Sequence, residues 1–194
     1  MNSPLIRLLL VSACTVGLLQ ALRAADEKPA VPTPVVDPTS LIVDLRQNTP
    51  GIFSYATWQD KLLVSASGLV VQGSNGARGD GGLGRNIEPA LDLSDVAYVE
   101  VALGVGARNE VPEVTIALND ADGTQVAARV RIDQIVPTLP VWLHVRRDNF
   151  TRVTGQDGKD GKMDWTKVAQ WHLQGDWTTK KPFHVVFIAL RVRK

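Results

Sequence analysis

Cysteine is almost absent. The one cysteine in 194 residues, Cys14, lies close to the first residue. A disulfide framework and a Cys-rich zinc site are therefore excluded as sources of stability. Helical spacing is scarce as well, which excludes a helix bundle or a helix-covered parallel sheet. Neither sign of charge is in excess: 21 Lys and Arg face 20 Asp and Glu. Such a balance gives no general pull toward nucleic acid or an anionic membrane. Catalytic signatures are missing too. There is no Gly-x-Ser-x-Gly elbow and no His-Glu-x-x-His pair, and "GSNGARGDGGLGR" (73–85) lacks the lysine of a phosphate loop. What is present is 44% hydrophobic residues at a mean hydropathy near zero, enough for a core and too apolar for a disordered chain.

The first residues read as an address. "MNSPLIRLLLVSACTVGLLQALRAA" has Arg7 in a weakly positive start, an apolar run from Leu8 to Leu19, and small residues at Ala24 and Ala25. This predicts an export signal over 1–24, with a retained anchor as the alternative. Removing Arg7 and Arg23 leaves a mature chain with one net negative charge. "VSAC" also fits the pattern before a lipid-modified cysteine. The residues after Cys14 stay apolar where a lipoprotein turns polar, so lipid anchoring is the lesser alternative. Four prolines, Pro29, Pro32, Pro34 and Pro38, then predict an extended linker over 25–40. The folded domain is expected over 41–194, exported to the periplasm or the exterior, with no membrane contact once the signal is gone.

From Leu41 on, short apolar-alternating runs recur between turn signals: "LIVDL", "LLVSASGLVVQG", "VAYVEVAL", "EVTIALND", "TQVAARVRI", "VWLHVRR", "VAQWHLQG" and "FHVVFIALRV". Many strands without helices predict an all-β, two-sheet antiparallel sandwich. "DADG" (120–123) is a hairpin turn. Alternation assigns the faces. Val114, Ile116 and Leu118 point to the core, as do Val126, Ala128, Val130 and Ile132. In "VAQWHLQG", Ala169, Trp171 and Leu173 share the core face, and Gln170, His172 and Gln174 share the other. "FHVVFIALRV" is apolar on both faces and is expected in a central, covered position. The glycine-rich 73–85 stretch reads as a long flexible connection. Trp58, Trp142, Trp165 and Trp177 are not assigned a face, and Trp177 follows Gly175 and Asp176 in a turn or rim.

Several of these stretches together resemble a known family. "GGLGRNIEPALDLSDVAYVEVAL" is similar to the glycine-rich lead into "LDLS" and a core strand of jelly-roll carbohydrate-binding domains. "VPEVTIALNDADGT" resembles their hairpin, and "GKMDWTKVAQWHLQGDW" their "G-K-x-D-x-S-K-V" and "I-x-I-Q-G" segments. The resemblance is to galactose-binding-like jelly rolls, near family 11 carbohydrate-binding modules and complex I intermediate-associated protein 30 domains. It covers roughly 41–194 and speaks to fold more than to ligand. The chain departs from the family in its last strand, where "FIALRV" stands in place of an acidic and amide-bearing "IDN".

The resemblance implies a sugar site on one sheet face. A sugar ring needs flat aromatic surface for its C–H face and fixed polar groups for its hydroxyls. Trp142, His144, Arg146, Gln170, His172, Gln174, Tyr98 and Arg129 supply those types on outward positions and form the expected ligand-binding set. A solvated polar face is the plainer alternative. No catalytic residue and no cofactor are expected, and the acids Asp120, Asp122, Asp157 and Asp160 read as solvated turn residues. The three histidines, 144, 172 and 184, show no zinc spacing. A structural calcium at Asp157, Asp160 and Asp164 stays open, although Lys159 and Lys162 oppose it. The expected partner is a carbohydrate, or alternatively an envelope protein; nucleic acid is not expected.

Overall fold

The computed structural model describes residues 41–194 except Asp157 and Lys159. The signal, linker and Cys14 readings lie outside the described residues.

The alternating runs form strands as their periodicity requires. In chain order they are β1 (Leu41–Asp44), β2 (Ile52–Ala56), β3 (Leu62–Ser65), β4 (Gly68–Gln72), β5 (Gly81–Leu91), β6 (Tyr98–Val105), β7 (Glu113–Asp120), β8 (Gln125–Arg131), β9 (Val141–Arg146), β10 (Thr151–Arg152), β11 (Val168–Gln174) and β12 (His184–Arg193). The described residues contain no α-helix. Two antiparallel sheets result. The first runs β3-β4-β12-β6-β9, with β1 also on β12; the second runs β10-β8-β7-β11-β5-β2. This is the β-sandwich jelly roll. β12 is central, flanked by β6 on one side and by β4 and β1 on the other, as its two-faced apolarity predicts.

The inward rows make one core between the sheets. Val114, Ile116 and Leu118 of β7 are fully buried, as are Trp171 and Leu173 of β11. At one end Trp58 stacks on Phe183 with centroids 4.6 Å apart. Its indole N–H is satisfied by donating to the Arg78 carbonyl at 2.7 Å.

Two expectations are corrected here. The first concerns Ala169. The pairing of β11 slips between Val168 and Gln170 against both β5 and β7. Against β7, Ala169 is thus the extra residue of a bulge, whereas against β5 the extra residues lie on β5. Ala169 is only partly buried, and Val168 takes the core position expected for it.

The second concerns the glycine-rich connection, whose later part opens an eleven-residue strand inside the second sheet. Ladder hydrogen bonds need no side chain, and here a side chain has no room. A Cβ at Gly81 would lie 2.2 Å from the Trp58 ring, and one at Gly82 2.5 Å from the Tyr55 ring. Glycine is disfavoured in strands on average, but close packing against aromatic rings selects it. Gly81→Ala is therefore expected to cost about 1–3 kcal/mol through overpacking. Chemical denaturation of this variant beside Gly123→Ala, whose Cβ would meet open space at a positive φ, separates lost room from backbone strain.

Candidate functional site

The cross-strand register of the second sheet writes out its outer face in rows. One row is Phe53–Gly84–His172–Ala117–Ala127–Thr151. The next is Tyr55–Gly82–Gln174–Thr115–Arg129, and the next on the other side is Asn86–Gln170–Asn119–Gln125. Gly84 and Ala117 give this row small residues at its middle, and His172 and Phe53 fill the space over Gly84. Beside the row lies a groove of about 550 Å³, lined among others by Thr115, Ala127, Arg129, Thr151, Gln174 and Trp177.

The polar side chains along this face are held in a directed chain of hydrogen bonds. Gln174 Nε2 donates to the Tyr55 hydroxyl at 2.9 Å. The hydroxyl stands 3.1 Å from His172 Nδ1, and His172 Nε2 stands 2.8 Å from Gln170 Oε1. Gln170 Nε2 in turn donates to Asn86 Oδ1 at 2.7 Å. Burial fixes the sense of this chain. His172 is 9% exposed beneath Phe53 and Tyr55, whose rings meet it edge-on. Desolvation pushes its pKa down to about 4, so the ring is neutral near pH 7. Desolvation also raises the Tyr55 hydroxyl, against the Gln174 hydrogen bond. A neutral phenol donates to Nδ1, and Nε2–H donates to Gln170. Each amide thus presents a defined end.

The depressed histidine pKa has a consequence for stability. The unfolded chain binds a proton on this ring below about pH 6.5, whereas the folded chain resists it until about pH 4. Stability from this group is complete above pH 6.5 and is lost as the pH falls toward 4. The loss is on the order of 3 kcal/mol. His172→Gln is expected to flatten that limb of the stability–pH curve, which denaturant melts between pH 7 and 4 would read.

At the rim, the Asp176 carboxylate accepts from the Thr178 amide at 2.9 Å and its hydroxyl at 2.7 Å. This turn sets Trp177 outward. Its ring is 50% exposed and stacks on Tyr55, with centroids 6.3 Å apart and planes at 18°. A large aromatic face is thereby left in water beside fixed amides, a combination suited to a flat ligand with hydroxyl groups.

The eight expected ligand residues do not converge. Gln170, His172, Gln174 and Arg129 lie on the outer face of the second sheet. Tyr98, Trp142, His144 and Arg146 lie on that of the first. Strand alternation gives a residue's face but not its sheet, so the two rows read alike. Within the second sheet, sequence reasoning overlooked Phe53, Tyr55, Asn86 and Thr115 and left Trp177 unassigned. The signal for Phe53 and Tyr55 was their i, i+2 spacing in "IFSYA", which puts both rings on one face.

On the first sheet, Glu100 is fully buried on the outward side. It pairs with His144 Nδ1 at 2.6 Å, Arg191 Nε at 2.7 Å and Arg193 Nε at 2.7 Å. Burial alone would raise its pKa; the hydrogen bonds from Arg193, His144 and Arg191 outweigh it and hold the carboxyl at about 2.

Asp120, expected as a solvated turn residue, is instead 4% exposed. Its Oδ1 accepts the amides of Asp122, Gly123 and Thr124, and its Oδ2 that of Asp164. It caps the hairpin and ties it to the loop before β11. Of the residues considered for calcium, Asp157 lies outside the described residues. Asp164 accepts from the Thr166 amide and hydroxyl. Among the described residues no three His, Cys, Asp or Glu side chains converge as metal ligands.

No protein-family model and no curated protein matches the sequence. Solved structures do match the fold. The chain is similar to a family 11 carbohydrate-binding module from Clostridium thermocellum, solved with a β-1,3-1,4-mixed-linked tetrasaccharide. Identity is 15%, coverage 79% of this chain and 94% of that one, and the TM-score 0.55. It is also similar to a xylan-binding module, CBM15, at 15% identity, covering 77% and 92%, with a TM-score of 0.50. A third similarity is to an agarase, AgWH50C, at 11% identity and a TM-score of 0.56. There the match covers 79% of this chain but 24% of the agarase. At these identities what is shared is the fold, the two-sheet jelly-roll sandwich.

Proposed function

We propose that the groove on the outer face of the second sheet binds a poly- or oligosaccharide, and that the chain is an exported carbohydrate-binding domain without catalysis. One observation carries this reading: a half-exposed tryptophan, Trp177, stacked on Tyr55 beside a row of amides whose orientations are fixed. Trp177 supplies the face on which a sugar ring stacks. Gln174, Thr115, Thr151 and Arg129 supply donors and acceptors for its hydroxyls. The groove is lined by Glu113 and Asp176 and by Arg129 and Arg152, so its formal charges cancel. That balance suits a neutral chain.

A glycosidase acid needs a carboxyl whose pKa is raised toward neutrality. Asp176 is shifted the other way, held below its usual range chiefly by the Thr178 hydroxyl. Mixed-linked β-glucan and xylan, the ligands of the two similar binding modules, together with agarose on account of the similar agarase, form the natural first panel. In affinity electrophoresis, retardation in at least one of these gels, with no release of reducing ends, is the expected result. Free migration in all of them, together with unperturbed tryptophan fluorescence, would remove the reading.

A further inference from the structure

We propose a second binding site on the outer face of the first sheet, for a glycan carrying carboxylate or sulfate groups, built on the guanidiniums of Arg191 and Arg193. It lies on the opposite sheet from the groove and does not depend on the groove reading.

The geometry that carries it is how these arginines are held. Each donates to the buried Glu100 carboxylate through Nε alone. Neither has a partner for its Nη atoms among the described residues. Each guanidinium is also laid on an aromatic ring, Arg191 at 3.9 Å from the Trp142 centroid and Arg193 at 4.3 Å from that of Tyr98. The carboxylate and the rings fix the planes and leave the Nη atoms without a protein partner among the described residues, with Arg193 half exposed and Arg191, at 18% exposure, set deeper in the face. Planar forks presented in this way match carboxylate and sulfate oxygens, and the ordering cost is met before the ligand arrives.

Charge favours an anion as well. Glu100 is fully buried and offsets one of the two guanidiniums, while the Arg193 side chain is 52% exposed. The same face adds Arg146, opposite Tyr98, and the half-exposed His144, opposite Glu100. Asp148 lies 3.5 Å from Arg146 and is itself exposed.

Arg191 and Arg193 are two positions apart on one strand, so their Cα atoms are roughly 7 Å apart. That suits anionic groups spaced along an extended chain lying on a flat sheet. A second copy of this face would bring like charges together. Nucleic acid is disfavoured because the chain's 21 basic and 20 acidic residues supply no broad positive field.

The test is calorimetric titration of the full chain at low salt with polygalacturonate, alginate and chondroitin sulfate, with mixed-linked β-glucan as the neutral control. At least one acidic chain should bind and should weaken as salt is added. Arg193→Lys keeps the charge and the partner for Glu100 but removes the fork, and should weaken binding roughly tenfold with little change in melting temperature. A Glu100→Gln/Arg193→Gln double variant, which removes the buried carboxylate together with one guanidinium and frees Arg191 from its anchor, should lose binding at least as much. Trp177→Ala should bind acidic chains as the wild type does. Any one of four outcomes would overturn the proposal: no acidic chain binds; Arg193→Lys binds normally; Trp177→Ala abolishes acidic binding; or a short DNA duplex or phosphatidylserine vesicles bind as tightly as the glycans.

Discussion

Trp171→Ala is expected to lower the unfolding free energy by about 3–5 kcal/mol, a large share of the ~5–15 kcal/mol typical of a domain. Trp171 has no exposed surface and lies between Arg85 of β5 and Leu118 of β7 in the ladder. Its ring fills the space between the sheets, and its truncation leaves a cavity in the core. His172, one residue on, faces the other way, yet its truncation will not be neutral. It is 9% exposed, and its two ring nitrogens join Tyr55 to Gln170. His172→Ala leaves both partners with an unmet bond, at about 1–3 kcal/mol. Urea melts of the two variants should therefore both shift, Trp171→Ala by more. A larger loss in His172→Ala would mean that β11 is turned over.

The second large effect is on binding. Trp177→Ala should weaken the affinity of the groove for its neutral glycan by roughly ten- to a hundredfold while leaving the melting temperature almost unchanged. A half-exposed ring contributes little to the fold. Its loss removes the stacking surface, and truncating an aromatic anchor in a binding site typically costs about 2 kcal/mol or more. Tyr55→Phe separates the platform from the polar chain. It keeps the ring that stacks on Trp177 but breaks the link from Gln174 to His172. Its affinity should fall by less than that of Trp177→Ala.

How much of this was legible in the sequence varies by residue. The sandwich was readable because β7, β8 and β9 alternate cleanly, and the buried rows of Val114, Ile116 and Leu118 follow from it. The outward turn of Gln170, His172 and Gln174 was readable for the same reason. β5 was not, because Gly81, Gly82 and Gly84 carry the composition of a loop. Only the aromatic rings that press on them show why a strand would have no side chains there. The burial of His172 was hidden too, since it depends on Phe53 and Tyr55, brought over it by pairing at long range. The division of the ligand set between two sheets is a fact of topology. Alternation along β9 and β11 is the same whichever sheet each strand joins, so it could not tell whether Trp142 and Gln174 share a sheet, and they do not.

A sugar chain held in the groove beside Trp177 should leave a residue-by-residue signature. The most direct measurement is a ¹H–¹⁵N correlation titration of the isotope-labelled protein with the glycan that retards it most strongly in the gels. Shifts are expected to concentrate on the Trp177 indole, the Gln174 side-chain amide and the backbone amides of Gln174, Thr115 and Arg129, with the first sheet unmoved by a neutral ligand. Shifts confined to Tyr98, Trp142 and His144, or none at saturating glycan, would contradict binding in this groove.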